Sequence, residues 1–312
     1  MSRPRVVVLR ALGLGDLLTG VPALRAVADA YPAGEHDLVL AAPAALQPLV
    51  ELADLPFRLV DHRGLDPLPR ELHGPAVAVN LHGRGPQSHA ALQALAPGRL
   101  IAFGDAAAWR EGEHEVERWC RMLREHGIPA DPTRLELRTP AGGVDSATVV
   151  HPGAASGARR WPAERFAAVA RAERAAGRDV VVTGGPDEVE LAHHVAALAE
   201  LPAESVRAGT TDLAGLAALV GAAARVVCGD TGVAHLATAL GTPSVLLFGP
   251  TPPAEWGPLP APAARRDRHR VLWHGGRGDP HGDAPDLGLL RIKIPDVLAA
   301  LDELPASSAT AA

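Results

Sequence analysis

The chain has 312 residues, which corresponds to two domains at about 150 residues each, and its 47% of hydrophobic residues can fill two ordinary cores. A formal net charge of −6 argues against a nucleic-acid-binding surface, and two cysteines exclude a disulfide framework and a four-thiolate zinc site. No apolar run reaches membrane-spanning length, and the apolar stretch 6–9 is too short for the core of a signal peptide. We therefore expect a cytoplasmic protein with at most peripheral membrane contact.

Short β-branched runs alternate with Ala- and Leu-rich helical stretches along the chain. The predicted strands are 6–9, 38–40, 77–80, 148–151, 180–183, 225–228 and 244–248. The predicted helices are 17–30, 113–126, 163–176, 187–199, 213–222 and 233–240. The strands are continuous apolar runs, as in parallel strands that are covered on both faces, so the alternation predicts an α/β fold with parallel sheets.

The pattern of strand, glycine turn and helix starts again at residue 148, after the segment 138–146, which is rich in turn-forming residues. We therefore predict an N-terminal domain over 1–140 and a C-terminal domain over 147–305, both Rossmann-like and facing a common cleft. Ligands of such domains bind at the carboxyl ends of the strands. The Pro-, Gly- and Arg-rich stretch 256–287 is predicted to be an irregular loop.

A glycine turn follows the first predicted strand. Gly13 and Gly15 are expected to let the chain turn tightly there, which places Asp16 at or near the start of a helix. Two interpretations of Asp16 stand. It is a helix N-cap whose carboxylate accepts backbone N–H groups, a general base at the mouth of the cleft, or both. The residues alone favour the cap.

The same turn does not complete a dinucleotide-binding fingerprint. A third glycine is needed at position 18, which is Leu18, and the ribose-binding acid that should follow the second strand is missing. A nicotinamide or flavin cofactor is therefore disfavoured, and we expect no cofactor.

Two loops of the C-terminal half carry charged residues beside a predicted strand end. The first holds Ser156 and Arg159, and an arginine there suits a diphosphate because its guanidinium pairs two oxygens; a solvated surface arginine is the alternative. The second holds Asp187 and Glu188 at a helix start. These acids complement the helix dipole, or one of them binds the ribose or base of a nucleotide.

A third loop follows the strand that ends near Gly229. Asp230, Thr231 and Gly232 make a turn into a helix, whose free N–H groups and dipole form an anion site, and His235 lies one turn further on. The alternatives are an N-cap role for Asp230 and a partly buried core position for His235. An acid in one half and an anion cradle in the other suggest group transfer from a phosphate-activated donor.

Three motifs, in order along nearly the whole chain, resemble glycosyltransferase family 9, the ADP-heptose-dependent heptosyltransferases. They are Leu-Gly-Leu-Gly-Asp16, His151-Pro-Gly-Ala followed by Arg-Arg-Trp161-Pro, and Gly229-Asp-Thr-Gly-Val-Ala-His235 followed by Phe248-Gly-Pro-Thr251. The resemblance implies a GT-B fold with the acceptor in the N-terminal domain and the nucleotide sugar in the C-terminal domain. It also implies an inverting transfer without a metal, and the chain has no Asp-x-Asp pair that would chelate one.

The resemblance also assigns roles to residues of this chain. Asp16 would be the general base, and Arg159 stands where the family usually has lysine and would bind the donor phosphates. Asp187 or Glu188 would contact the ribose. Residues that match the nucleotide-diphosphate motif are Asp230, Thr231, Gly232 and His235.

The resemblance does not define the acceptor, which is expected to be a glycan or a natural product. Its contacts are predicted to come from residues that follow the third predicted strand, namely Asn80, His82, Arg84 and Gln87. Two other functions stay open from the sequence. One is a sugar-nucleotide epimerase or oxidoreductase of Rossmann type, and the other is a nucleotide-sugar-binding protein without catalytic activity.

Overall fold

The computed structural model describes residues 3–259 and 267–305, and the chain divides into two units, Met1–Leu137 and Arg138–Ala312. The division falls at the start of the segment 138–146, for which the sequence predicts a linker. Each unit is built around its own parallel sheet of five strands.

The first unit contains five strands and four α-helices. The strands are β1 (Arg5–Leu9), β2 (Asp37–Ala42), β3 (Arg58–Asp61), β4 (Val77–Asn80) and β5 (Arg99–Ile101). The helices are α1 (Leu14–Ala30), α2 (Gln47–Leu52), α3 (Gln87–Gln93) and α4 (Glu115–Glu125). The strands are all parallel in the order β3-β2-β1-β4-β5, so the carboxyl ends of β1 and β4 are neighbours.

The second unit contains five strands and seven α-helices in its described part. The strands are β6 (Thr148–His151), β7 (Val180–Val182), β8 (Arg225–Gly229), β9 (Ser244–Phe248) and β10 (His269–Trp273). The helices are α5 (Ala163–Ala175), α6 (Val189–Leu198), α7 (Leu213–Ala222), α8 (Gly232–Leu240), α9 (Pro253–Trp256), α10 (Leu287–Arg291) and α11 (Ile294–Asp302). The parallel order β10-β9-β8-β6-β7 places the ends of β6, β8 and β9 side by side.

The central strands are buried on both faces, as their continuous apolar sequences predict. Val6, Val7, Val8 and Leu9 of β1 are fully buried, and so are Val226 and Val227 of β8. Burial of each such side chain contributes roughly 1.5–3 kcal/mol relative to leaving it in water. This burial holds the strand ends in place, and with them the first residues of the loops that follow.

All seven predicted strands and all six predicted helices are present, within a few residues at their ends. The sequence did not predict β3, β5 and β10, and each of these lies at an edge of its sheet. Their side chains are mostly exposed or only partly buried, so their sequences lack a continuous apolar run, whereas edge strand β7 is fully buried and was predicted. The prediction of an irregular loop over 256–287 is thus wrong at β10. Residues 260–266 of that stretch lie outside the described part.

None of the helices within residues 3–259 and 267–305 is long and apolar enough to cross a membrane.

Candidate functional site

Asp16 lies in the first turn of α1, at the carboxyl edge of the first unit's sheet. The helix N-cap is Gly13, and Asp16 is three residues further on, with its Oδ2 accepting a hydrogen bond of 3.3 Å from the Gly13 N–H. The N-cap interpretation of Asp16 is therefore wrong. Asp16 already has a helical backbone, and its side chain reaches back to the cap.

The two glycines of this turn do not use left-handed conformations. Gly13 has a φ of −80° and an extended backbone, and Gly15 lies inside α1 with no positive φ. The expectation that the turn depends on glycine's conformational freedom is therefore wrong, because the helix begins directly from an extended residue.

The environment of Asp16 favours its protonated form. Burial raises the pKa of Asp16, and the charge of Glu115 raises it further, whereas Arg10 and the Gly13 N–H act in the opposite direction. The carboxyl group thus becomes a stronger base than an exposed aspartate would be.

The predicted acceptor-binding residues at and after the end of β4 have different environments. Asn80 is fully buried and holds the loop together: its Nδ2 donates to Gly83 O at 3.0 Å and to Ser88 Oγ at 2.9 Å, and its Oδ1 accepts from His82 N at 3.0 Å. Arg84 forms an exposed ion pair with Glu111 at 3.2 Å. The prediction that Asn80 contacts the acceptor is therefore wrong.

His82 has a different environment. Its Nδ1 is buried and has no hydrogen-bond partner among the residues that the structure describes. Burial, together with the nearby charges of Arg10 and His62, lowers the pKa of His82 to about 4. The imidazole is therefore neutral near pH 7 and keeps one donor and one acceptor.

In the second unit, the β6–α5 loop (residues 152–162) meets the end of β8. Arg159 donates from Nη1 to the carbonyl oxygen of Asp230 at 3.2 Å, and this nitrogen lies 3.9 Å from Asp230 Oδ2. Arg159 Nε donates to Ser156 Oγ at 3.4 Å. Three predicted site residues from two distant segments thus form one cluster.

Asp230 is buried beneath this cluster and does not cap α8. The N-cap is Thr231, whose Oγ1 accepts from Val233 N at 3.3 Å, so the N-cap interpretation of Asp230 is wrong. The Asp230 carboxyl group faces Arg159 and the hydroxyl group of Thr251. Burial raises the pKa of Asp230, while these two partners oppose the shift.

The first turn of α8 presents the remaining predicted anion-binding residues. Gly232 is the first residue of the helix, so its backbone N–H has no partner within the helix. His235 is partly exposed and contacts Trp256 edge-to-face, with ring centroids 5.8 Å apart. His235 is therefore partly buried, as one of its two interpretations expects, and its role in anion binding stays a prediction. Thr251 ends the third sequence motif, after the apolar strand β9, but no role was predicted for it, and Trp256 was not predicted as a site residue.

The structure separates the two acids at the end of β7. Asp187 is exposed, whereas the Glu188 side chain is 17% exposed and its Oε2 accepts from Gly185 N at 2.8 Å. That oxygen lies 3.8 Å from Nε2 of His151, at the end of β6. A Cβ atom at Gly153 would overlap the Glu188 carboxyl group, so the glycine makes room for it. Glu188 is thus the acid that lies beside the β6–α5 loop.

A segment that no motif explained covers the β6–α5 loop. In this β10–α10 segment (residues 274–286), Gly282 O accepts from Ala158 N at 2.8 Å and Asp286 N donates to Ala158 O at 3.1 Å. Ser156 Oγ donates to Pro280 O at 2.5 Å. The two segments therefore hold each other, and the position of Arg159 depends on both.

We expect Gly157→Ala to disrupt this contact, because a Cβ atom there would overlap the backbone carbonyl of Asp283. Such overpacking costs about 1–3 kcal/mol, so Tm should fall, and with it the affinity for ADP, the nucleotide of the donor that the sequence resemblance implies. The control is Gly276→Ala in the same segment, where no described atom lies within 4 Å of the new Cβ. Equal Tm and equal ADP affinity for the two variants, by calorimetry, would contradict this role of the segment.

No group of three or more His, Cys, Asp or Glu side chains in residues 3–259 and 267–305 could hold a metal ion. The cluster at the second unit's sheet edge offers an arginine and backbone N–H groups instead.

Comparisons with known proteins agree with this geometry. Residues 99–269, more than half of the chain, match glycosyltransferase family 9 (heptosyltransferase). Lipopolysaccharide heptosyltransferase 3 of Escherichia coli is 31% identical over 189 residues, which cover 58% of this chain and 54% of that protein. The chain thus spans about half the length of the curated relatives it matches, or less.

Two solved structures have the same fold. A family 9 glycosyl transferase from Veillonella parvula DSM 2008 superposes with a TM-score of 0.76 at 21% identity and covers 97% of each chain. The ADP-heptose LPS heptosyltransferase II of E. coli superposes with a TM-score of 0.71 at 21% identity, over 96% of this chain and 97% of that chain. The predicted α/β GT-B architecture of two Rossmann-like domains is confirmed.

Proposed function

Because the chain belongs to glycosyltransferase family 9, the heptosyltransferase family, we propose that it moves a sugar from a nucleotide-sugar donor to a hydroxyl acceptor. The donor we propose is ADP-heptose, because one structural neighbour is named as an ADP-heptose LPS heptosyltransferase. The observation that carries the proposal is the cluster of Ser156, Arg159 and Asp230 beside the first turn of α8, because it suits a diphosphate.

The donor half of the reaction needs positive charge at the leaving diphosphate. Nη2 of Arg159 has no hydrogen-bond partner in the described part of the chain, and the side chain is 22% exposed. This nitrogen and the Gly232 backbone N–H at the start of α8 can together bind the two phosphates. Fixed donors of this kind stabilise developing negative charge by roughly 10²–10³-fold each, so we propose that no metal ion is needed.

The acceptor half needs a base, and we assign this role to Asp16. As the acceptor oxygen bonds to the anomeric carbon, its proton passes to the Asp16 carboxylate. The bond from that carbon to the diphosphate oxygen breaks with its electron pair, and ADP leaves. A single displacement from the opposite face inverts the anomeric centre.

Further binding roles in the donor half follow from the positions of the remaining candidates. We propose that Glu188, rather than the exposed Asp187, accepts a hydrogen bond from the donor ribose. Thr231, Gly232 and His235 would contact the phosphates from the start of α8.

The proposed acceptor is a hydroxyl-bearing glycan, since the curated relatives are named as lipopolysaccharide heptosyltransferases. We propose that the protein works in the cytoplasm. Cys120 and Cys228 are buried free thiols, which fits a reducing compartment, and burial raises the pKa of Cys120 to about 12.

A thermal-shift screen against ADP, UDP, GDP, TDP and NAD, each with and without EDTA, tests the donor half. A ligand at 100 times its Kd stabilises the folded protein by about 2.7 kcal/mol, so we expect ADP to raise Tm by several degrees, unaffected by EDTA. A shift with another nucleoside diphosphate would keep the mechanism and change the donor. A shift with NAD alone would favour an oxidoreductase or epimerase, and a shift that EDTA abolishes would contradict the metal-independent site.

Binding without transfer would indicate the non-catalytic alternative. The decisive assay follows ADP release from ADP-heptose in the presence of acceptor glycans. Donor binding with no ADP release for any acceptor would support a nucleotide-sugar-binding protein.

A further inference from the structure

A buried group of charged side chains lies beneath the first turn of α1. Arg10 follows β1, while Glu115 and Arg118 lie on α4, and all three are buried. Buried charges are costly unless they are paired and hydrogen-bonded, and each of these three side chains has such partners.

Arg10 connects the helix that carries Asp16 to the sheet. Its Nε donates to the carbonyl oxygen of Asp16, and its Nη1 donates to the carbonyl oxygen of Leu81, which follows β4. Its Nη2 donates to Thr19 Oγ1 at 3.1 Å. Gly20 allows this approach, because a Cβ there would lie 2.5 Å from the Arg10 Nε. The first turn of α1 is therefore held by one fully buried guanidinium group.

Glu115 lies between two guanidinium groups. Its Oε1 is 3.5 Å from Arg10 Nη2 and accepts from Trp119 Nε1 at 2.7 Å, and its Oε2 accepts from Arg118 Nη1. The guanidinium of Arg118 also lies over the Trp109 ring, 4.2 Å from its centroid. Both carboxylate oxygens of Glu115 are thus hydrogen-bonded, and these bonds hold the carboxylate next to Arg10.

The charges balance when Asp16 is ionised. Two arginines and two carboxylates then make up the group: Glu115 contacts both arginines, and Asp16 interacts with Arg10 through its charge. The nearby His82 is neutral because its pKa is about 4. Without Glu115, the Asp16 carboxylate would be the only anion among these groups, beside two arginines. The excess positive charge would hold Asp16 ionised and weaken it as a base.

We propose that Glu115, acting through Arg10, is a positioning residue for Asp16: it offsets the Arg10 charge and so keeps the Asp16 carboxylate able to take a proton from the acceptor. The inference rests on the proposed function, in which Asp16 is the base. The direction agrees with the pKa of Asp16, which Arg10 lowers and Glu115 raises. His62 is the other titratable group near this cluster, on the side of His82.

The test is a carboxyl ¹³C NMR titration of the whole protein labelled at aspartate, with the Asp16 signal assigned from Asp16→Asn. We expect Glu115→Gln to move the Asp16 midpoint down by about one pH unit. Arg118→Gln removes a positive charge from the same cluster and should move it up, by a smaller amount. Glu113→Gln is the matched control, because Glu113 on the same segment pairs with Arg121 at 2.6 Å, and it should leave the midpoint unchanged.

Opposite shifts of the Asp16 midpoint in Glu115→Gln and Arg118→Gln indicate an electrostatic role. A merely structural role would shift the midpoint in the same direction in both variants. An unchanged midpoint in Glu115→Gln, or equal shifts in the two variants, would overturn the proposal. If Glu115→Gln does not fold, Arg118→Gln decides alone: an upward shift supports the proposal, and any other result overturns it.

The titration uses neither donor nor acceptor, so it does not depend on turnover. If Asp16→Asn keeps full activity, the proposed function fails, whatever the titration shows. If both the proposed function and the titration result hold, the acid limb of the kcat/KM profile should move with the Asp16 midpoint in each variant.

Discussion

Replacing Asp16 with asparagine is expected to reduce turnover about 10²- to 10⁴-fold, which is the usual contribution of a positioned general base. Asparagine retains an oxygen that can accept the Gly13 N–H, so the start of α1 should keep its structure. ADP affinity should be unchanged, because the proposed donor residues all belong to the second unit. The measurement is kcat for ADP release together with the Kd of ADP from calorimetry.

The control for this substitution is Glu164→Gln. Glu164 also lies in the first turn of a helix, α5, but is exposed and has no proposed role. It should retain normal turnover. Full activity in Asp16→Asn would show that another group, or water, removes the acceptor proton.

The raised pKa of Asp16 also gives the sign of two pH effects. Activity should fall on acidification from a higher pH than the ordinary pKa of aspartate implies, because the base must be ionised. Stability has the opposite dependence. The folded state holds this proton more tightly than the unfolded chain, so the stabilisation is present at low pH and is lost as pH rises through the raised pKa. Asp16→Asn should therefore raise Tm at pH 7 relative to the unsubstituted protein.

Replacing Arg159 with alanine is expected to lower kcat about 10²- to 10³-fold and to weaken ADP binding. The substitution removes the phosphate-binding cation and leaves the buried Asp230 carboxyl group without its positive partner. Arg159→Lys should recover part of the activity, since lysine keeps the charge but not the planar fork that pairs two oxygens. Steady-state kinetics and ADP calorimetry on both variants test this.

The matched control is the next residue in the chain. Arg160 is exposed, and its Nε donates to the Ala154 carbonyl oxygen at 3.0 Å. Arg160→Ala removes the same charge from the same loop and should change kcat and ADP affinity little. Equal losses in Arg159→Ala and Arg160→Ala would mean that only the net charge of the loop matters.

The core of the fold could be predicted from the sequence because the central strands are continuous apolar runs. Both faces of β1 and β8 are covered, so nearly every residue in them must be apolar, and the pattern is visible without a structure. The edge strands β3, β5 and β10 escaped prediction for the converse reason. Their side chains are mostly exposed or only partly buried, so polar residues interrupt the apolar pattern, whereas the buried edge strand β7 was predicted.

Candidate residues at the strand ends were also visible, but their roles were not. Asp16 and Asp230 both looked like helix caps, and both caps belong to other residues, Gly13 and Thr231. A cap is decided by the exact residue at which the helix begins, and sequence patterns place helix ends only to within a few residues.

The amino-acid pattern alone indicates two parallel α/β halves, the strand ends at which candidate residues gather, and the family resemblance. Only the tertiary structure placed Arg159 against Asp230, distinguished Glu188 from Asp187, and joined Arg10 to Glu115. The contacts Arg159–Asp230, His151–Glu188 and Arg10–Glu115 each connect segments far apart in the chain. Parallel strands bring such segments to one edge of a sheet. The partner of a buried charge therefore follows from strand order and helix packing, which no local pattern encodes.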